Sequence, residues 1–441
     1  MKKIMFAVGL IIIIAGVGAP LFSGIMMERI VKRSFSDINQ IYTDTGSDLS
    51  VEISQYDRNF SSSQIEWKIK LGALKTIYSV EEIIFVDHAD HRFTSIVSTT
   101  SLEKNKWFKN FVNNKLNGKN PLNIKTEYKL SGNIESTLAL DAFSFKDGSV
   151  VVEIMPGKML ITVDKGLKNY LSEITWAGCL VPGKIRMDNL SFSSKMEKVS
   201  ACIWDGNLSF AAENIKADDG NKEFVLINLK CDYTLDYNET EQSLSIGVES
   251  GIDRISSGQG NINNASVQIG VNRIDALGYK DFMNLYLPMM NDAIEEIAAS
   301  QYHTDTLKRV VEKQMASVGL QMVGVYEKFL KKGFEIQISD LRAQLPQGKI
   351  KGDVTLSLKK DMTMVQFIPV MMQPAAALDI FFLKSDVSLP CELGGENQWL
   401  LAPIYPGMQT GLFIKNGDNL THKAETRAGK LFLNGKEVLL N

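Results

Sequence analysis

Alternation of apolar and polar positions is the dominant pattern along this chain. Ile65, Trp67 and Ile69 alternate with charged residues, and the same period of two recurs at 244–248, 335–339 and 354–358. This period indicates strands with one face on a core, and its regularity is typical of antiparallel sheets. Turn signals separate the runs, at Lys146-Asp147-Gly148, Asp205-Gly206-Asn207, Asp218-Asp219-Gly220, Pro346-Gln347-Gly348 and Asn434-Gly435. The pattern predicts antiparallel strands over 28–275 and again over 333–441.

One segment, 276–332, lacks the alternation and is predicted to be helical. Apolar residues recur there at steps of three and four, the spacing of an amphipathic helix: Leu307, Val311, Met315, Val318, Met322, Val325 and Phe329. Asp281–Ala299 is predicted as a preceding helix, with Gln301–Thr304 as the connection. We therefore expect a helical hairpin packed on the sheet, inserted between two strand-rich parts of one sheet system. A groove for an apolar guest is the alternative interpretation of its Met and Leu content.

The first 27 residues predict a membrane anchor. Lys2 and Lys3 precede an uncharged stretch from Ile4 to Met27, which is long enough to cross a hydrocarbon core of about 30 Å as a helix. A cleaved signal peptide is the alternative, but the small-residue site ending at Ala19 is followed by Pro20, which disfavours cleavage. The short basic N-terminus favours export of the following domain. The sequence thus predicts a single-pass protein of the inner membrane with a large C-terminal domain in the periplasm.

Composition limits the function classes. The chain has 48 basic and 51 acidic residues, without the basic cluster that a nucleic-acid-binding protein usually carries. Four cysteines, Cys179, Cys202, Cys231 and Cys391, would lie in an oxidising compartment and allow three complete pairings, among which the sequence does not choose. None of them forms a CxxC motif.

The residues offer little catalytic chemistry. Asp87-His88-Ala89-Asp90-His91 is the one dense group of potential metal ligands, whereas His303 and His422 are isolated. Further ligands are not visible, so a structural or exposed loop explains this group better than a zinc site. No nucleophile elbow, HExxH motif or phosphate-binding glycine loop occurs. We therefore predict a non-enzymatic protein with no catalytic, cofactor-binding or metal-binding residues and no cofactor.

Several segments in order resemble a known family. After the anchor come Tyr56–Ser63 and Phe85–His88, then Gly258-Gln259-Gly260, Ala265–Ile274, Phe282–Tyr286 and finally Gly429–Lys436. In this order the chain resembles the YdgA-type proteins of Gram-negative bacteria, over nearly its whole length. Members usually follow the histidine with Gly-Pro, where this chain has Ala89-Asp90. The resemblance implies an inner-membrane anchor and a periplasmic body of unknown function, and it transfers no catalytic residues.

Together these observations predict an α+β, mainly β fold. The expected parts are an anchor at 1–27, an antiparallel body at 28–275, the helical hairpin at 276–332, and a C-terminal part of the same sheet system at 333–441. The expected function is that of an anchored, non-catalytic cell-envelope protein that binds or conveys an apolar component along a long sheet. Two alternatives stay open: a scaffold or assembly factor for other envelope proteins, and a hydrolase with an unrecognised site.

Overall fold

The alternating segments form one large antiparallel sheet in a computed structural model of the chain. Over the residues that the structure describes (25, 27–44, 46–200, 202–218, 220, 223–258, 260–299, 319, 321–393 and 410–439), the sheet has 22 strands. Helices are few in this part of the chain. The mainly β, antiparallel class predicted from the alternation is therefore confirmed.

The bounds of the elements follow the chain order. The first eleven strands are β1 (Ser50–Arg58), β2 (Ser62–Lys70), β3 (Glu82–His91), β4 (Ser95–Ser101), β5 (Leu122–Lys129), β6 (Ile134–Leu140), β7 (Phe143–Asp147), β8 (Val150–Ile154), β9 (Gly157–Val163), β10 (Asn169–Val181) and β11 (Ile185–Lys198). The next eleven are β12 (Trp204–Asp218), β13 (Glu223–Asn238), β14 (Ser243–Ser257), β15 (Gly260–Asp275), β16 (Glu335–Leu345), β17 (Gly348–Leu358), β18 (Phe381–Pro390), β19 (Ile414–Asn416), β20 (Asn419–Arg427), β21 (Lys430–Leu433) and β22 (Lys436–Val438). The described helices are α1 (27–44), α2 (Leu74–Tyr78), α3 (Lys106–Lys115), α4 (Ala276–Ala299), α5 (321–329), α6 (Met364–Met372) and α7 (Pro374–Ala377).

Most strands pair with their neighbours in the chain. Strands β1 to β6 form consecutive antiparallel pairs, β9 pairs with β6 and β10, and β7 with β8 forms a hairpin. Strands β12 to β18 form a second consecutive series, which β20, β21 and β22 continue. This meander places alternate side chains of every strand on the same face.

Four of the five predicted turns connect strands, and one prediction was wrong. The confirmed turns follow β7, β12, β16 and β21, and Asn434 and Gly435 have the positive φ values, 48° and 79°, that a tight two-residue hairpin requires. Asp205-Gly206-Asn207 instead lies inside β12. Gly206 pairs there with Leu235, and the Asp205 carboxylate accepts a 2.8 Å hydrogen bond from the Tyr237 amide. The strand continues because these cross-strand contacts outweigh the local preference for a turn.

The chain forms two compact units. Unit one comprises 1–176, 193–202 and 283–318, and unit two comprises 177–192, 203–282 and 319–441. Each unit has small apolar clusters. Unit two holds Leu345, Leu393 and Leu420 in one cluster and Leu358, Met362, Val370 and Ile380 in another.

The core of unit one forms where α1 covers the strands. Met27, Val31 and Phe35 recur every four residues on one side of α1 and pack against Ile65 and Ile96. The body predicted to start at residue 28 therefore begins with a helix, because this apolar stripe makes 27–44 helical. Met27 is fully buried in this core, so the last residue of the predicted anchor belongs to the folded body.

The predicted membrane span falls almost entirely on residues 1–24 and 26, which lie outside the described part of the chain. No helix formed by the described residues is long and apolar enough to cross a membrane.

Part of the predicted helical hairpin is present. Helix α4 covers the first predicted helix, and α5 covers the end of the second. The connection Gln301–Thr304, together with Leu307, Val311, Met315 and Val318, lies outside the described residues. In unit two, the ring of Phe282 on α4 lies 6.3 Å from that of Phe329 on α5.

Candidate functional site

The histidine group predicted to be a loop lies in strand β3. Alternation along the strand buries Asp87 and His91 on one face and exposes His88 and Asp90 on the other. The two histidines therefore point to opposite sides of the sheet and do not share a coordination sphere. Within the described residues, no group of three or more potential ligands could hold a metal ion.

The two other histidines lie far from this strand in sequence. His303 is outside the described residues. In β20, His422 is within hydrogen-bond distance of the Ser385 hydroxyl (2.7 Å at Nε2) and of the Leu412 carbonyl oxygen (2.9 Å at Nδ1). These contacts give His422 a structural role.

The inward side of β3 carries a buried carboxyl group, Asp87. Its Oδ2 accepts a 2.9 Å hydrogen bond from the Trp67 indole, and its Oδ1 accepts a 2.5 Å bond from the Thr100 hydroxyl. Both partners come from neighbouring strands, because Asp87 pairs with Ile65 on β2 and with Thr100 on β4. Burial raises the pKa of Asp87, and the hydrogen bonds from Thr100 and Trp67 partly oppose this rise.

Aromatic rings enclose this carboxyl group. Trp67 stacks on Phe85 at a centroid distance of 4.1 Å, and Phe35 of α1 meets Trp67 edge-on at 5.3 Å. Burial also raises the pKa of Tyr56 and of Tyr128. We call Asp87, its two hydrogen-bond donors and these rings the Asp87 cluster. Its carboxyl group is buried while the surrounding rings are half-buried, and the geometry is that of a structural core.

A row of short hydroxyl side chains crosses the same face of unit one. Ser98, Thr126 and Ser136 are directly opposite one another on β4, β5 and β6. Thr126 and Ser136 are 3.1 Å apart at their hydroxyl oxygens, and Ser172 on β10 is 2.8 Å from Ser194 on β11. Ile161 on β9 lies between Ser136 and Ser172 and interrupts this line. We call the five hydroxyl-bearing residues the hydroxyl row.

Larger apolar side chains line both sides of the hydroxyl row. The line on one side is Ile124, Leu138, Met159 and Ile174, and the line on the other is Tyr128, Ile134, Val163 and Tyr170. All eight are only partly buried. Tyr128 packs against the core under α1, and the other seven keep partial solvent exposure on this face of unit one.

Unit two has a broader apolar face on the strands β13 to β18. Two adjacent rows of cross-strand partners form it: Tyr233, Val248, Ile269, Ile338 and Val354 in one, and Leu235, Ile246, Val271, Ile336, Leu356 and Leu383 in the other. Of these eleven side chains only Leu235 is buried, and Ile269 and Ile336 are 41% and 39% exposed. We call these two rows the open apolar face.

The opposite side of the same strands is polar. Gly247 and Gly270 pair directly and floor a shallow depression of about 250 Å³. Carboxylate and amide side chains surround it, and Gln268 links Glu249 and Ser339 by hydrogen bonds of 3.0 and 3.2 Å. The sheet of unit two is thus amphipathic, with solvent on its polar side.

The four cysteines add no covalent links, since all of them are free thiols. None of the three possible pairings is formed. Burial raises the pKa of Cys179, which makes it a less reactive thiol.

The sequence did not reveal the Asp87 cluster or the two open surfaces. Alternation showed which residues share a face of one strand, but these sites depend on which residues lie opposite across strands. One sequence signal could have located Asp87. It is a carboxylate at a core-facing position of one strand, where the preceding strand carries a Trp at a core-facing position.

These features define a class of protein: a large antiparallel sheet with a closed polar core at one place and partly exposed apolar surfaces elsewhere. The chain belongs to a bacterial family described as "Bacterial protein of unknown function (DUF945)", whose match covers residues 1–441. The predicted membership in a bacterial family of unknown function is confirmed, while the YdgA-type character remains a prediction. Searches of curated proteins and of solved structures found no match.

Proposed function

We propose that this protein is a non-catalytic, membrane-anchored envelope protein that binds acyl chains of an amphipathic lipid on its open apolar face. The partial exposure of that face carries the proposal. A sheet packed on a complete protein core would bury these side chains, whereas ten of the eleven retain solvent contact. An exposed apolar surface of this extent is typical of a binding site.

The dimensions of the face suit an acyl chain. Each row crosses strands spaced about 4.8 Å apart, so the five-residue row from Tyr233 to Val354 spans roughly 19 Å. One leaflet of a bilayer has a hydrocarbon thickness of about 15 Å, half of its ~30 Å core. A lipid chain could therefore lie along a row in extended form. The lines beside the hydroxyl row repeat this arrangement in unit one, with hydroxyl groups that could face ester or headgroup oxygens.

The test compares two glutamate substitutions in one strand. Ile336→Glu places a charge on the open apolar face, and Gln337→Glu places the same charge on the polar side one residue away. We expect the first to weaken binding of a phospholipid with a pyrene-labelled acyl chain by at least about tenfold, because a charge against hydrocarbon is costly, and the second to leave binding unchanged. Circular dichroism of the full-length variants in detergent checks folding. Equal binding by both folded variants would reject the proposal.

Anchoring is the second part of the proposal. The uncharged stretch from Ile4 up to the buried Met27 supports a span, with the folded body on the periplasmic side of the inner membrane. A reporter fused after Asn441 should behave as periplasmic, and the protein should stay in membranes after a carbonate wash. Release of a soluble form beginning near Pro20 would instead identify a cleaved signal peptide.

A further inference from the structure

Helix α6 presents apolar side chains to solvent at one place in unit two. Val365 is 79% exposed and Ile368 is 54% exposed, and they share one side of the helix because they are three residues apart. The other side packs Phe367 and Val370 into the cluster around Leu358. Single exposed apolar residues are common, but a helix that is apolar on both sides is not.

The helix is a defined element with a capped N-terminal end. The Thr363 hydroxyl accepts a 3.3 Å bond from the Gln366 amide, and the Gln366 side chain accepts a 3.1 Å bond from the Thr363 amide, which forms a capping box. No charged residue occurs between Asp361 and Asp379. The exposed apolar side is therefore presented by a folded scaffold.

A neighbouring helix also presents exposed apolar residues. The Met364 amide donates a 3.2 Å bond to the Glu327 carboxylate, and the Met362 amide donates a 2.8 Å bond to the Leu330 carbonyl oxygen, so α6 begins beside the end of α5. On α5, Val323 and Tyr326 are each 40% exposed. We call Val323, Tyr326, Val365 and Ile368 the α5–α6 patch.

Exposed lysines flank the α5–α6 patch. Lys331 and Lys332 follow α5, and Lys359 and Lys360 follow β17. Within the described residues none of the four forms an ion pair, and the Lys359 ammonium donates a 2.7 Å bond to the Leu378 carbonyl oxygen. The nearest carboxylates are already engaged with backbone amides: Glu327 with Met364, and Asp361 with Lys332 at 2.7 Å. Three further carboxylates lie near these cations. Asp379 is exposed, and Glu241 and Asp275 line one depression with Lys331 and Lys332, where Glu241 pairs with Arg273 and Asp275 accepts a 2.7 Å bond from the Gly278 amide.

From the combination of a capped helix, an uncharged exposed side and flanking lysines we infer that the α5–α6 patch is a docking site for the surface of an anionic lipid bilayer. Apolar side chains would enter the boundary between headgroups and acyl chains, and the lysines would meet lipid phosphates. The charge pattern favours a lipid surface as the occupant over an apolar protein partner. This site is separate from the open apolar face and does not depend on lipid binding there.

The test measures depth in the bilayer at two positions of the full-length protein. Tryptophan is introduced as Ile368→Trp or as Lys349→Trp, the latter an exposed position at the opposite end of β17 from α6, roughly 30 Å along the strand. Each variant is reconstituted in vesicles of phosphatidylcholine and phosphatidylglycerol with brominated acyl chains, and the emission of the unsubstituted chain is subtracted. We expect about twofold quenching at 368 and none at 349.

Two further measurements decide the inference without relying on one variant. Amides of 364–372 in the unsubstituted chain should exchange hydrogen more slowly in these vesicles than in detergent. Replacing phosphatidylglycerol by phosphatidylcholine, or reversing charge with Lys359→Glu and Lys360→Glu, should reduce the quenching at 368. Quenching at 368 no greater than at 349, together with unchanged exchange of α6, would overturn the inference. Quenching independent of anionic lipid would overturn its electrostatic part.

Discussion

Asp87 offers a sharp test of the buried cluster, since two substitutions separate its charge from its hydrogen bonds. Asp87→Asn keeps an acceptor for the Trp67 indole and can donate to the Thr100 hydroxyl, which can rotate to accept. Asp87→Ala removes both. The indole is held between Phe35 and Phe85 and cannot turn to another partner. An unsatisfied buried donor costs about 1–3 kcal/mol, so with the small cavity we expect Asp87→Ala to destabilise unit one by roughly 2–4 kcal/mol.

The hydrogen bonds of Asp87 stabilise the fold, whereas its negative charge destabilises it. Burial raises the pKa of Asp87 above the value of about 3.9 in an unfolded chain, so the folded protein holds this proton more tightly. The stability contributed by protonated Asp87 is present at low pH and is lost as the pH rises from the unfolded pKa through the folded pKa. Asp87→Asn should remove this loss. Its stability should therefore be equal to or greater than that of the wild type near neutral pH.

Hydrogen exchange measures this local stability in peptides from β2 to β5 of the full-length protein. It is followed at several pH values between about 4 and about 8 and corrected for the intrinsic exchange rate. The wild type should lose protection with rising pH relative to Asp87→Asn, and Asp87→Ala should be the least protected throughout. The reasoning would be refuted if Asn and Ala variants were equally unstable, or if the Asn variant retained the pH dependence of the wild type.

The other predictions compare matched pairs of residues. A Cβ at Gly178 would overlap the Met187 carbonyl oxygen, and φ there is 121°, so Gly178→Ala should destabilise the protein by several kcal/mol. Gly183 has a φ of 71° and open space around it, so Gly183→Ala should cost only about 1 kcal/mol. Similar urea midpoints for the two variants would contradict this. His88→Ala should change stability by less than about 0.5 kcal/mol because His88 is exposed. His91→Ala should cost about 1–3 kcal/mol because the His91 ring lies 2.8 Å from the buried Ser63 hydroxyl. Metal analysis of the purified protein should find no stoichiometric zinc. One zinc per chain, lost when His88→Ala and His91→Ala are combined, would overturn the non-enzymatic proposal.

Local patterns predicted the elements well because strand alternation is a property of consecutive residues. The runs around Ile65, Leu244 and Val354 became strands. Ile65 and Leu244 face the interior as expected, whereas Val354 lies on the open apolar face. The helix at 27–44 was missed because Met27 was assigned to the anchor, which hid the four-residue stripe that continues to Phe35. The site could not be predicted for a different reason. Asp87 meets Trp67 and Thr100 only after three strands adopt one register, and bulges such as that between Ile53 and Gln55 set the register across strands.

Burial distinguishes the core under α1, which is structural, from the open apolar face, which we propose binds lipid. Under α1, residues such as Ile65 and Ile96 are sealed, so their apolar transfer energy is already realised in the fold. On the open apolar face, Ile269 and Ile336 retain about 40% of their exposure, so part of that energy is still available. Burying a fully exposed side chain of this size is worth about 1.5–3 kcal/mol, so covering the exposed two-fifths of Ile269 or Ile336 is worth roughly 0.6–1.2 kcal/mol. An acyl chain that covers several such side chains could therefore recover a few kcal/mol of binding energy without a conformational change. A protein whose sheet keeps this surface uncovered gains stability from its ligand. Occupancy by lipid should therefore stabilise unit two, while the sealed core of unit one should be indifferent to it.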